Sequence, residues 1–147
     1  MKCVVIYFSQ TGNTEKIAKA IQAGVKQTAG HCGIFKIQEA DPRRLYEYDL
    51  IGLGSPLHHG REPGNVTTFI KDMRFVGGKH IFVFLTHCTL FYNFFAIVVP
   101  ELKDRGLIVI GTGDWYAAAH HPPVRPTPYP TDGHPDDIDL KEATDFG

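Results

Sequence analysis

Five short apolar runs alternate with segments of helical periodicity along this chain, and that alternation limits its fold more than any other feature. Cys3 to Phe8, Gly33 to Gln38, Leu50 to Gly54, His80 to Leu85 and Leu107 to Gly111 read as strands. Ile17, Ile21, Val25 and Thr28 recur at helical spacing after the first, and Gly30 is placed to stop that helix. Asp41-Pro42 starts a turn or short helix, and Asn65 can cap a helix carrying Val66, Phe69, Ile70 and Met73 on one side. A helix is predicted from about Phe91 to Arg105, kinked at Pro100 and ended by Gly106. The proline-rich stretch from Trp115 to His134 reads as an irregular loop, and Asp136 or Asp137 begins a last helix through Leu140, Ala143 and Phe146. Crossovers between parallel strands are right-handed and cover both faces, so the pattern predicts an α/β, doubly wound, five-stranded parallel sheet. Ligands of such sheets sit beyond the carboxyl ends of the strands, which directs attention to loops 9–14, 55–62, 86–93 and 112–121.

The bulk numbers set the frame. The 147 residues fit one domain, 1–147, with room for a full core. The longest apolar stretches, such as Phe94 to Val99, fall far short of the ~20 residues a membrane span needs. The chain enters a strand at once, so no secretion leader is expected. Cys3, Cys32 and Cys88 form no C-x-x-C pair and leave an odd count, which argues against a disulfide framework or iron–sulfur site and makes a reducing cytoplasm the default. A formal net charge of −1 gives no reason to expect nucleic acid as a partner. The last helix has only about three turns before Gly147, which leaves two readings: a chain trimmed at this end, or one domain of a larger protein.

The run Ser9-Gln10-Thr11-Gly12-Asn13-Thr14 joins the first strand to the first helix. Helix N-termini carry N–H groups without partners and partial positive charge, so this turn can hold an anion. Ser9, Thr11 and Thr14 supply hydroxyls, Gly12 allows close backbone approach, and Asn13 can bond locally. No Lys or Arg lies in the loop, unlike the Lys-bearing P-loop, and no G-x-G-x-x-G occurs. A single phosphate group held by neutral donors fits best.

S-x-T-G-N-T after the first strand resembles the phosphate loop of the flavodoxin family, small proteins that carry FMN, and the resemblance extends through most of the chain. It implies a flavodoxin-like sheet of strand order 2-1-3-4-5 with helices on both faces. It also implies FMN as cofactor, its phosphate at Ser9 to Thr14 and its ring between the second and third loops. Ser55, Pro56, Leu57, His58, His59 and Gly60 lie in a segment that matches the family's G-S-P-x-x-x-G-x-x-P, which passes beside the isoalloxazine ring. Gly60 is the implied site of a peptide that reorients when the ring gains a proton. His58 and His59 stand where many flavodoxins place an aromatic ring, and an imidazole there would favour the reduced, anionic flavin. The alternative reading is two exposed loop histidines with no role. Thr86, His87, Cys88, Leu90 and Tyr92 belong to the segment implied to flank the pyrimidine side through its backbone. Cys88 stands where related T-H-x openings often have Gly, and its thiol is either a redox group or a small packed side chain. Trp115 or Tyr116 could cover the flavin edge, and the stretch from Tyr129 to Asp136 resembles a segment that fixes this loop to the sheet edge.

Histidine is the unusual component, with eight residues. His58, His59, His87, His120 and His121 fall in loops at one end of the sheet, yet helical ligand spacing and a completing carboxylate are missing, so no metal is expected. The absence of G-x-S-x-G removes the common hydrolase pattern. The reading is FMN-mediated electron transfer between redox partner proteins, without nucleic acid or membrane. The alternatives are an FMN-dependent NAD(P)H reductase of quinones or similar acceptors, and a flavodoxin domain of a larger oxidoreductase. Phe91, Tyr92, Phe94, Phe95, Ile97, Val98 and Val99 are apolar around most of their helix, which predicts a homodimer or partner contact through 91–99, unless the proline-rich loop covers it.

Overall fold

The computed structural model describes residues 1–58, 61–88, 93–119 and 128–147. Strand β1, Cys3–Tyr7, is buried throughout and lies between β2, Cys32–Lys36, and β3, Leu50–Pro56. β4, His80–His87, and β5, Ile108–Tyr116, complete a five-stranded sheet of order 2-1-3-4-5 in which every pairing is parallel. The central strands are apolar on both faces because helices cover both.

Alternate residues of those strands feed two cores. On one face, α1, Asn13–Ala29, and α4, Asp137–Phe146, pack Ile17, Ile21, Val25 and Ala143 against Val5, Tyr7, Phe82 and Phe84. On the other, α2, Gly64–Asp72, and α3, Phe94–Asp104, pack Phe69, Ile70, Phe94, Val98 and Leu102 against Ile6, Leu53, Val83 and Leu85. β3 contributes Gly52 and Gly54 to the first face, where the rings of Phe82 and Phe84 occupy the space that their side chains would need.

Several boundaries differ from the sequence reading, each for a local reason. The apolar stripe of α1 ends at Val25; Thr28 is exposed and its hydroxyl donates to the Val25 carbonyl at 3.1 Å. Gln38 lies in a short 3-10 turn, Ile37–Glu39, beyond β2. The residue that caps α2 is Pro63, whose carbonyl accepts from Val66 and Thr67; Asn65 sits inside the first turn, its Oδ1 accepting from the Val66 N–H at 3.0 Å. The last helix opens as expected, with Asp136 Oδ1 accepting from the N–H groups of Ile138 and Asp139. Pro100 lies within α3, which continues to Asp104.

α3 begins at Phe94, and the expected start at Phe91 lies outside the described residues. Phe94 and Val98, read as part of an open contact surface, are instead core residues only 2% and 1% exposed, whereas Ile97, about a quarter turn round the helix from their stripe, is 53% exposed. The helix thus buries the stripe 94, 98, 102 that its 3.6-residue period places on one side. β5 extends past Gly111 to Tyr116, so Trp115 and Tyr116 belong to the sheet and not to a loop. Among the described residues, no helix is long and apolar enough to cross a membrane.

Candidate functional site

The carboxyl ends of β1, β3, β4 and β5 open into one cleft of about 370 Å³, within the usual size range of small-ligand sites. Its first wall comes from the turn between β1 and α1. Gly12 adopts a left-handed backbone, φ 91°, and its carbonyl accepts the first helical bond, from Lys16, at 3.0 Å. A glycine at this cap has no side chain to cover the first turn of α1, and nothing lies within 4 Å of the place a Cβ would take. Gln10, Thr11, Asn13 and Thr14 line the cleft. Ser9 is half-buried, its hydroxyl accepting from the Gly12 N–H at 3.1 Å, and so shapes the loop without lining the cleft.

Two bonds hold this turn to the rest of the site. The Thr14 and Thr86 hydroxyls lie 2.8 Å apart and buried, so the turn is tied to the end of β4. Asn13 Nδ2 donates to the Ala118 carbonyl at 3.3 Å, joining it to the segment after β5.

The second wall is Pro56, Leu57 and His58 at the end of β3. Ser55 is buried, its hydroxyl donating to the Pro56 carbonyl at 2.8 Å, and it does not reach the cleft. His58 and Arg61 exchange both backbone hydrogen bonds, at 2.8 and 3.1 Å, which pins the ends of this loop together. His59 and Gly60 lie outside the described residues, as do Leu90, Tyr92, His120 and His121.

Thr86, His87 and Cys88 form the third wall, with Ala117, Ala118 and Ala119 beside them. The three alanines have no functional group, and only their place after the last parallel strand could have pointed to them. His87 is 5% exposed, and its Nε2 lies 2.9 Å from Asp114 Oδ2 on β5. The Tyr116 ring stands 5.3 Å from the His87 ring, centroid to centroid, and half exposed. Trp115 points the other way: it is buried against Phe146 on the α1/α4 face and cannot cover a ligand in the cleft. The backbone bond from Ala118 N–H to the His134 carbonyl, 2.8 Å, fastens the segment before α4 to the end of β5.

Among the described residues, the one His/Asp group compact enough for a metal is His134, Asp136 and Asp139. These atoms already serve the start of α4: Asp139 Oδ2 lies 2.5 Å from His134 Nδ1 and accepts from the Asp136 N–H at 2.8 Å. The bond to Asp139 raises the His134 pKa above its ordinary value. Burial pushes the Cys32 thiol up to about 11, with the neighbouring Cys3 adding to the effect, so both behave as packed hydrophobes.

A doubly wound parallel sheet with a cleft across the carboxyl ends of its central strands defines an α/β domain of the kind whose ligands sit at a topological switch point. A family model described as a flavodoxin domain matches residues 4–90, and the chain belongs to the flavodoxin family. It is 28% identical, over a 160-position alignment covering 99% of this chain and 95% of the relative, to an uncharacterized protein of Methanocaldococcus jannaschii. It is 28% identical over 113 positions, 71% of this chain and 74% of the relative, to probable flavodoxin 2 of Bacillus subtilis. Among solved structures, oxidised flavodoxin 1 of Bacillus cereus superposes with a TM-score of 0.77 at 22% identity, covering 99% of this chain and 94% of that one.

Proposed function

We propose that this chain binds FMN non-covalently in the cleft and carries electrons between redox partner proteins. The observation that carries the reading is the uncapped start of a 17-residue helix opening into a cleft whose described lining contains no Lys or Arg. The first-turn N–H groups of α1, with the hydroxyls of Thr11 and Thr14 and the amide of Asn13, suit one terminal phosphate. Pro56, Leu57 and Ala117 to Ala119 offer apolar surface to a flat ring. A bound flavin supplies the redox chemistry; the chain holds it, limits water around it and sets the charge nearby.

The double variant Thr11→Ala/Thr14→Ala tests the phosphate assignment. Loss of two hydroxyls near a charged acceptor should weaken FMN by at least about tenfold, or about 1.4 kcal/mol, while riboflavin affinity stays unchanged. The riboflavin control is needed because Thr14 also bonds Thr86. Equal weakening of both ligands would assign the threonines to the fold alone.

A further inference from the structure

Two buried hydroxyls face each other where the first and third walls of the cleft meet. Thr14 belongs to the first turn of α1, and Thr86 is the last residue but one of β4. Each is 2% exposed, each lines the cleft, and their oxygens lie 2.8 Å apart. The sheet fixes Thr86: it pairs with Pro56 on β3 and Trp115 on β5, and its carbonyl accepts from the Leu57 N–H at 2.9 Å.

The pair carries one more hydrogen than it uses. A hydroxyl has one hydrogen to donate and two lone pairs with which to accept. The bond between Thr14 and Thr86 takes one of the two hydrogens, and among the described residues neither side chain has a second hydrogen-bond partner. A buried donor left without an acceptor is costly, and the space both residues line is the cleft. Which oxygen keeps the spare hydrogen depends on the ligand. Thr14 stands at the start of a helix, where partial positive charge and unbonded N–H groups draw an anion. An ionised phosphate oxygen only accepts, so the Thr14 hydrogen turns to it. Thr86 must then supply the hydrogen of the bond between the two threonines.

We propose that Thr86 is a positioning residue for the ligand's phosphate: its hydroxyl donates to the Thr14 oxygen and so commits the Thr14 hydrogen to the anion. The pair forms a one-way chain, from Thr86 through Thr14 to phosphate, in which each bond polarises the next. Because Thr86 belongs to the sheet, the Thr14 hydroxyl is held in place before any ligand arrives, which lowers the ordering cost of binding. A ligand without an anionic group leaves the direction of the chain open and gains little from it. The inference rests on the FMN reading above and gives β4 a part in phosphate recognition beside the turn Ser9 to Thr14.

The test titrates the flavin-free full chain with FMN and with riboflavin, followed by flavin fluorescence. Thr86→Val keeps the shape of the side chain and removes its hydroxyl. It should weaken FMN about fivefold and riboflavin less than about twofold. Thr86→Ser keeps the donor and should stay within about twofold of wild type for both ligands. On a Thr14→Val background, Thr86→Val should change the ratio of FMN to riboflavin affinity by less than about twofold, since no hydroxyl remains to be directed. Thr86→Ala takes the place of the valine variant if that one does not fold, and the same FMN loss is expected. A Thr86 variant without the hydroxyl that keeps the wild-type ratio overturns the proposal, as does a Thr86→Ser protein no better than Thr86→Val. A loss of about fivefold that persists on the Thr14→Val background also overturns it, because Thr86 then acts without Thr14. Wild type that binds riboflavin as tightly as FMN is a separate outcome: it removes the phosphate reading, and the proposal with it.

Discussion

Phe94→Glu is expected to abolish cooperative folding, whereas Ile97→Glu, three residues along the same helix, should leave stability within about 0.5 kcal/mol of wild type. Phe94 is 2% exposed and packs into the core between α3 and the sheet, where Val98 and Leu102 follow at four-residue intervals. Truncating a buried Phe costs about 3–5 kcal/mol, and an unpaired carboxylate in its place adds a desolvation cost. The sum reaches most of the 5–15 kcal/mol, roughly, that stabilises an ordinary domain. Ile97 is 53% exposed and loses little packing on substitution. Thermal unfolding of the two variants decides the matter. A stable Phe94→Glu protein would mean that this side of α3 faces a partner and not the sheet.

Gly24→Ala should destabilise the fold by about 1–3 kcal/mol or more, through overpacking where α1 meets α4. Helix propensity alone makes the opposite forecast, since Ala in place of Gly inside a helix is worth roughly 0.5–1 kcal/mol of added stability. The sign of the change therefore separates intrinsic preference from packing. A Cβ at Gly24 would lie 2.0 Å from the carbonyl oxygen of Thr144, a backbone atom that cannot rotate away. To admit the methyl, α4 would have to move outward and loosen Ala143, Phe146 and the contact of Phe146 with Trp115. Urea unfolding of the pair is the measurement, and a rise in midpoint would show that the two helices do not approach so closely.

The strands and the first helix were legible because burial on both faces demands continuous apolar runs, and Ile17, Ile21 and Val25 share one side of a helix. The end of β5 was not legible. Gly111, Gly113 and Asp114 are poor strand residues, yet β4 extends to His87 and pairs Thr86 with Trp115 and His87 with Tyr116. A neighbouring ring also makes Gly113 fit, since a Cβ there would meet the Trp115 ring at 2.8 Å.

The same strand hid the most chemically pointed contact of the cleft. A register shift between Ile81 and Phe82 moves the pairing from Val109 to Gly111, skipping Ile110. Side chains alternate with period two, so this one-residue slip decides which face Asp114 takes, and so allows it to reach His87. A local sequence carries no sign of such a shift. The turn between β1 and α1 was legible as a wall of the cleft for the opposite reason: the residues that line it there, Gln10, Thr11, Asn13 and Thr14, fall within one short run of sequence. That the Ser9 and Ser55 side chains do not line the cleft goes with bonds to neighbouring backbone that residue type alone does not dictate.

Titration of the flavin-free protein with FMN, riboflavin and FAD, followed by flavin fluorescence, bears most directly on the function proposed for the cleft. FMN should bind with a dissociation constant below about 1 μM, equivalent to about 8 kcal/mol or more, with riboflavin and FAD both weaker. FAD binding as tightly as FMN, or FMN failing to bind in the micromolar range, would contradict it.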